Sequence, residues 1–264
     1  MKGILLDNRS FDTLIEIMNT LRGPDGCPWD REQTHASLKP YLIEETYEVL
    51  EALDHEDPVH IREELGDLLL QSVFHAQLAK ESDQFDIYDV LETIIEKMIR
   101  RHPHVFGDVE IHSADEQISH WEKIKFKEGK KSVIDGVPKT APALLRAYRI
   151  QQKAAAVGFD WPQTQPVFDK VQEEFQELLE AIDQQDEANI EEEFGDLLFS
   201  LVNLSRFIKK NPEEALRKAT NKFIRRFNAL EEHYRKDKKD IRNSSLEEMD
   251  RIWNTVKKAE KNPS

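Results

Sequence analysis

The chain contains two similar segments in tandem, and this repetition limits its possible folds more than any other feature. Residues 43–54 match residues 172–183 at seven of twelve positions, and EELGDLLL at 63–70 matches EEFGDLLF at 192–199 at six of eight. Both pairs of blocks are 129 residues apart. Similar blocks in the same order predict two copies of one folding unit, each roughly 120 residues long.

Both copies are predicted to be all-α helical bundles. Apolar residues in the second copy, including Phe194 and Leu201, recur at helical spacing, and no segment alternates as a half-buried strand does. The polar segment GKKSVIDGVPKTAP contains two glycines and two prolines, which is typical of a linker. We therefore predict an N-terminal domain at 1–128, a linker at 129–142 and a C-terminal domain at 143–264.

Composition excludes several classes of protein. The net charge of −15 opposes general binding of nucleic acids, which needs clustered positive charge. No apolar run is long enough to predict a membrane span, and no signal peptide is expected. The single cysteine, Cys27, rules out an internal disulfide and is typical of a reducing cytoplasm. No glycine-rich phosphate loop is present either.

Each copy carries the pattern E-E-x-x-E, fifteen further residues and then E-x-x-D. Acids three residues apart lie on one face of a helix. In each copy an inner and an outer pair of acids share one midpoint, which is residue 56 or residue 185. This symmetry predicts a helical hairpin with the inner pair about 12 Å from its turn. The acids are Glu45, Glu48, Glu64 and Asp67 in the first copy, and Glu174, Glu177, Glu193 and Asp196 in the second.

Four carboxylates in a small volume repel one another unless some are protonated or a cation lies among them. A hard divalent cation is the expected partner, Mg²⁺ first and Mn²⁺ as a substitute. The alternative is that these acids simply face solvent, since 52 residues of the chain are acidic. Recurrence of the whole pattern in both copies favours metal binding.

Basic and aromatic residues also recur. Lys222 and Arg226 share a helix face, as Lys97 and Arg101 do in the first copy, and Trp253 matches Trp121. Such groups can bind phosphates and stack on a base. The alternative is that the basic pair is a solvated face and the tryptophan is core, and recurrence in both copies counts against it. Lys170 is four residues before Glu174, where it could either neutralise that carboxylate or reach a phosphate.

The acidic pattern, together with GCPWD at 26–30, RRHPHVF at 100–106 and GFDW at 158–161, resembles the MazG family of all-α nucleoside triphosphate pyrophosphohydrolases. The resemblance implies Mg²⁺-dependent hydrolysis of nucleoside triphosphates between the α and β phosphates, and a homodimer. It also implies that the eight acids are metal ligands. The acids of the second copy are predicted to be the catalytic ones, because the RRHPHVF insertion makes the first copy differ after its basic helix. Lys222 and Arg226 would bind phosphates, with Trp253 on the base.

Two alternatives to this function are a di-iron carboxylate bundle and a scaffold. A di-iron carboxylate bundle needs Glu-x-x-His on two helices, whereas the matching positions here are Glu-x-x-Asp. A scaffold whose acids bind metal only for stability is the second alternative, and the sequence does not exclude it. It also does not show which base is preferred, or whether the first copy is active.

Overall fold

The computed structural model describes residues 7–113, 116–117, 120–121, 124 and 131–261. These residues form eleven α-helices and one 3₁₀ helix, and none of them lies in a strand. The all-α prediction is therefore confirmed. The chain divides into two units, one up to Glu110 and one from Ile111, while the predicted limits of the domains and the linker stay a prediction. No helix in the described part is long and apolar enough to span a membrane.

The first unit contains six described helices. Two long helices, α3 and α4, form an antiparallel hairpin, and α1 and α5 both pack on α4. Its core includes Met18, Leu38 and Phe74, which are all nearly inaccessible to solvent. The helices are α1 (Phe11–Arg22), α2 (Pro28–Glu32), α3 (Lys39–His55), α4 (Pro58–Glu81), α5 (Ile87–Arg101) and α6 (Pro103–Phe106).

The second unit repeats the central hairpin in α8 and α9, and α7 contacts both α9 and α10. The last helix, α11, packs on α10. The described helices are α7 (Ala143–Ala155), α8 (Gln165–Gln184), α9 (Glu187–Phe207), α10 (Pro212–Lys236), a 3₁₀ helix (Ile241–Asn243) and α11 (Leu246–Lys261). The segment 121–125 of the first sequence copy, which carries Trp121, lies mostly outside the described residues.

The turns of both hairpins are where the acidic spacing predicts them. Glu56 ends α3 with a left-handed φ of 54°, and Gln185 ends α8 with a φ of 56°. The next helix is then capped at once, because the Asp57 side chain accepts a hydrogen bond from the Val59 amide at 2.9 Å. Asp186 caps α9 in the same way. A left-handed residue followed by an N-cap reverses the chain within three residues.

Candidate active site

The two hairpins bring together the acids of each copy. In the second unit, oxygens of Glu174, Glu177 and Glu193 all lie within 4.8 Å of one another, and so do those of Glu45, Glu48 and Glu64 in the first. Glycines lie between the two acids of α4 and of α9, at Gly66 and Gly195. A Cβ at either glycine would meet nothing within 4 Å. The backbone of both helices is therefore uncovered at these two positions within the described residues.

Electrostatics in the second cluster oppose full ionisation. Partial burial raises the pKa of Glu193, and repulsion from Glu177 and Glu174 raises it further. The pKa of Glu177 is raised by the same causes, burial first and then Glu174. Glu174 is only 6% exposed. Carboxylate oxygens this close could hold a divalent cation, which would neutralise charge that is otherwise repulsive.

The first cluster has similar electrostatics and one additional partner. Burial, followed by repulsion from Asp67 and Glu48, raises the pKa of Glu45. Nε2 of His60 lies 2.9 Å from Glu64 Oε1. The corresponding residue of the second copy is Asn189, so this imidazole contact is a difference between the two clusters.

Asp67 and Asp196, the fourth acid of each predicted set, are outside the groups within 4.8 Å. They are still close enough to interact electrostatically with the other acids, since Asp196 helps to raise the pKa of Glu193. Asp67 is the largest charged contributor to the raised pKa of Glu45. The structure therefore places three acids together and the fourth within electrostatic range, and a metal-binding role for all eight stays a prediction.

Lys170 neutralises carboxylates of its own helix. Its Nζ lies 2.6 Å from Glu173 Oε1 and 2.8 Å from Glu174 Oε1. Hydrogen bonds to these two carboxylates raise the pKa of Lys170. The ammonium group therefore carries a positive charge at the edge of the acidic cluster, where it also borders the cavity described next.

A cavity of about 330 Å³ lies beside the second cluster. Glu174, Asp196 and Lys170 form part of its wall, so the cavity and the carboxylates are continuous. Most of its accessible lining is apolar. The remaining lining residues are Ile150, Gln151, Ala154, Phe159, Asp160, Trp161, Val167, Phe199, Ser200, Asn203 and Arg206.

An ion pair holds the connection between α7 and α8 against α9. NH1 of Arg206 donates to Asp160 Oδ2 at 2.7 Å, and NH2 donates to Asn203 Oδ1 at 2.9 Å. Gly158, with a φ of 92°, turns the chain just before this contact. The pair therefore holds the loop that carries Phe159 and Trp161, which border the cavity and are 83% and 42% exposed.

The repeat pattern does not indicate Gln151, Asn203 or Arg206. These residues do not recur, since the position equivalent to Asn203 in α4 is Phe74, a buried core residue. The GFDW motif at 158–161 contains Asp160, which the structure pairs with Arg206, and Trp161, which lines the cavity.

The predicted phosphate and base contacts lie on α10 and α11. Lys222 is exposed, and Arg226 Nε donates to Glu260 Oε2 at 2.7 Å. The Trp253 ring lies 5.2 Å from that of Phe223. None of the three lines the cavity. Their roles stay predictions, and Arg226 has to exchange Glu260 for a phosphate in order to bind one.

Fold and site together define a class: tandem all-α proteins with a carboxylate cluster across a helical hairpin in each unit. A family model described as the MazG nucleotide pyrophosphohydrolase domain matches residues 33–106 and 164–230. The chain belongs to this family, which confirms the resemblance in the motifs. Both matched ranges contain all four acids of their copy, whereas Gln151 and Trp253 lie outside them.

Bacterial relatives match nearly the whole chain. A Thermotoga maritima protein named nucleoside triphosphate pyrophosphohydrolase/pyrophosphatase MazG is 52% identical over 250 residues, covering 94% of this chain and 95% of that protein. An Escherichia coli protein named nucleoside triphosphate pyrophosphohydrolase is 46% identical over 257 residues, covering 95% and 98%. The uncharacterised YabN of Bacillus subtilis is 48% identical over 255 residues, but these cover only 52% of its length.

Proposed function

We propose that the protein is a hydrolase of phosphoric anhydride bonds, a nucleoside triphosphate pyrophosphohydrolase that acts between the α and β phosphates of NTPs and dNTPs. The products are the nucleoside monophosphate and pyrophosphate. The observation that carries the proposal is the carboxylate cluster across each hairpin, inside the two segments that match the family. The names of relatives that align along almost their whole length support the same reaction.

Glu174, Glu177 and Glu193 would hold the divalent cation, with Asp196 beside them. When bound, Mg²⁺ supplies Lewis-acid chemistry, neutralising phosphate oxygens and making water more acidic. Lys170 holds the Glu174 carboxylate at 2.8 Å and limits its movement. Lys222 and Arg226 would bind the charge that develops on the departing pyrophosphate, which is where electrostatic stabilisation accelerates such reactions most.

The second unit is the better candidate for turnover. Its cluster adjoins a cavity of about 330 Å³, which is within the size range of small-molecule pockets. In the first unit the α4 residue equivalent to Asn203 is Phe74, which is 4% exposed and packs with Met18 and Leu38. In the first unit a buried aromatic ring therefore fills the position that borders the cavity in the second unit.

Release of pyrophosphate tests the proposal directly. The full chain is incubated with Mg²⁺ and a panel of NTPs and dNTPs, and pyrophosphate, orthophosphate and monophosphate are quantified. Equal amounts of pyrophosphate and monophosphate are expected. Orthophosphate as the first product would contradict cleavage between the α and β phosphates, and no product at all would favour a scaffold whose acids bind metal for stability.

Trp253→Ala is expected to raise KM by roughly 10-fold for every nucleotide and to leave kcat nearly unchanged, because stacking binds ground and transition states alike. Phe223→Ala is the matched control, since it removes the ring that packs on Trp253. An equal rise in KM in both variants, or a fall in melting temperature without a change in KM, would assign Trp253 to packing.

The protein is expected to be a homodimer. Apolar side chains beside the acids form exposed stripes along the hairpin, and Phe175 and Phe194 are 53% and 54% exposed. Stripes of this kind on paired helices are typical of surfaces that a second copy covers. Light scattering should give about 62 kDa, twice the 30.9 kDa of one chain.

Phe194→Asp should shift this mass toward that of a monomer, because it places a charge in the stripe. Leu246→Asp is the matched control: Leu246 is 77% exposed at the start of α11 and belongs to neither hairpin. A wild-type mass near 31 kDa at micromolar concentration would refute the dimer.

A further inference from the structure

The two carboxylate clusters differ in charge one helical turn before their first acid. In the second cluster this position is Lys170, whose Nζ lies 2.8 Å from Glu174 Oε1. The equivalent residue of the first copy is Tyr41, which is uncharged. Both copies carry the intervening acid, Glu44 or Glu173, so the lysine is a net difference of one charge. Among the described residues, no lysine or arginine forms an ion pair with the acids of the first cluster.

The lysine opposes entry of a free cation into the second cluster. Its ammonium group hydrogen-bonds a carboxylate oxygen that a cation also needs as a ligand. Hydrogen bonds to Glu173 and Glu174 raise the pKa of Lys170, so the positive charge persists wherever the carboxylates are ionised. Repulsion between a divalent cation and an ammonium group about 5 Å away lowers affinity by roughly 10-fold even in a medium as polar as water.

The first cluster also has a buried amide that the second lacks. Gln71 is 7% exposed, and its side chain hydrogen-bonds Glu45. Its Oε1 is buried and has no hydrogen-bond partner among the described residues, so the NH₂ end faces Glu45. The equivalent residue of the second copy is Ser200, whose Oγ donates to the Leu197 carbonyl oxygen at 2.9 Å. Only the first cluster therefore has an amide against its acids.

A cation among the acids reverses the preferred orientation of this amide. The NH₂ end of Gln71 suits an ionised carboxylate, whereas an amide oxygen is a ligand for a hard divalent cation. Rotation about the last bond of the side chain exchanges the two ends, which are nearly equal in size. One end is unpaired in either orientation, so the exchange costs only the hydrogen bond to Glu45, whose charge the cation then neutralises.

We propose that the first cluster is a resident divalent-cation site, filled without nucleotide, in which the Gln71 amide oxygen is a ligand beside the acids. The second cluster, with Lys170 at its edge, binds free cation at least about 10-fold more weakly. It fills chiefly with the cation that a triphosphate brings with it, since Mg²⁺ is commonly held by carboxylates and substrate phosphates together. The inference rests on the proposed function, because it takes the two clusters as cation sites.

Calorimetry with Mn²⁺ tests the inference on the full chain without nucleotide, at about pH 8, where imidazole ordinarily carries no charge. The wild-type protein should show two classes of site, with Kd values that differ by at least about 10-fold. Glu64→Gln should remove the tighter class and leave the weaker one. Glu193→Gln should do the reverse.

Reciprocal variants test the residues that set the difference. Lys170→Tyr should tighten the weaker class by about 10-fold, and Tyr41→Lys should weaken the tighter class by about the same factor. Gln71→Leu should also weaken the tighter class by about 10-fold, because the cluster loses an oxygen ligand. Lys236→Tyr is the matched control, since it removes the same charge from an exposed position at the end of α10 and should change neither class.

Equal affinities at the two clusters, loss of the tighter class in Glu193→Gln, or no binding at millimolar Mn²⁺ would overturn the inference. So would an unchanged weaker class in Lys170→Tyr or an unchanged tighter class in Gln71→Leu, with folding checked by circular dichroism. Pyrophosphate release by a protein with equal clusters would leave the proposed function intact. Two unequal classes in a protein that releases no pyrophosphate would instead refute the proposed function and keep the resident site.

Discussion

Glu193→Gln is expected to lower kcat for pyrophosphate release by at least about 100-fold, the scale of loss when one electrostatic contact to a transition state is removed. The substitution keeps the shape of the side chain but removes one charge from three oxygens that lie within 4.8 Å of one another. Helix packing should persist, because glutamine keeps the shape of the side chain and Glu193 is not among the buried residues of the described part. Asp196→Asn should act in the same direction.

Two control variants distinguish the effect of losing a cluster carboxylate from the effect of losing a negative charge elsewhere. Glu191→Gln makes the same change at an exposed position of α9 and should leave activity near that of the wild type. Glu64→Gln makes it in the first cluster and should leave much of the activity, because turnover is proposed for the second unit. Lys222→Ala should lower activity less than Glu193→Gln, since Arg226 and the cation still neutralise phosphate.

Full activity in Glu193→Gln and Asp196→Asn would contradict the mechanism for the second unit. Equal losses in Glu64→Gln and Glu193→Gln would mean that both clusters turn over substrate or that they are coupled. Either result is read from kcat and KM in the same assay, with melting temperatures to confirm folding.

Removing divalent metal is expected to abolish pyrophosphate release and to lower the melting temperature by several degrees. Binding to the native state alone stabilises it by about 2.7 kcal/mol when free metal is 100-fold above its Kd. The clusters supply the reason, because the cation relieves repulsion among carboxylates that exists only when they are held together in the fold. The measurement is a thermal melt in EDTA and in millimolar Mg²⁺, with Mn²⁺ as a second cation.

The same clusters give this stabilisation a pH dependence of known sign. The pKa values of Glu45, Glu177 and Glu193 are raised above 4.5, with burial as the largest cause. A carboxyl group with a raised pKa in the folded state favours folding below its unfolded pKa and loses that contribution as pH rises through the folded value. In EDTA the contribution of these three carboxyl groups should therefore fall as pH rises above 4.5, so the difference in melting temperature between Mg²⁺ and EDTA should widen over that range. Identical melts with and without Mg²⁺ at neutral pH would count against metal sites.

The hairpins could be predicted from sequence to the residue because their information is local. Two pairs of acids with one midpoint place the turn, and Asp57 before Pro58 supplies the cap that starts the next helix. Structure then confirmed turns at Glu56 and Gln185. The i to i+4 spacing also made the Lys170–Glu174 contact one of two predicted alternatives, and the structure has it at 2.8 Å.

The cavity could not be predicted, because it depends on tertiary packing between elements that are distant in sequence. Arg206 meets Asp160 across 46 residues, and Gln151 meets the Phe199 carbonyl across 48. No periodicity encodes such contacts, and comparison of the copies conceals them, since the first copy has Phe74 where the second has Asn203. Comparing the two copies finds the residues that both units share. A cavity that only one unit has can be found only from the structure.

Gly66 and Gly195 carry a cost that the packing within each described unit does not require. A glycine inside a helix is less favourable than alanine by about 1 kcal/mol, yet a methyl group at either position would meet nothing within 4 Å. Each glycine instead leaves bare helix backbone facing open space, where another molecule can approach the backbone without a side chain in the way. Alanine at either position should therefore stabilise the helix, and a loss of activity or of self-association in the stabilised variant would show that another molecule packs on the bare backbone there.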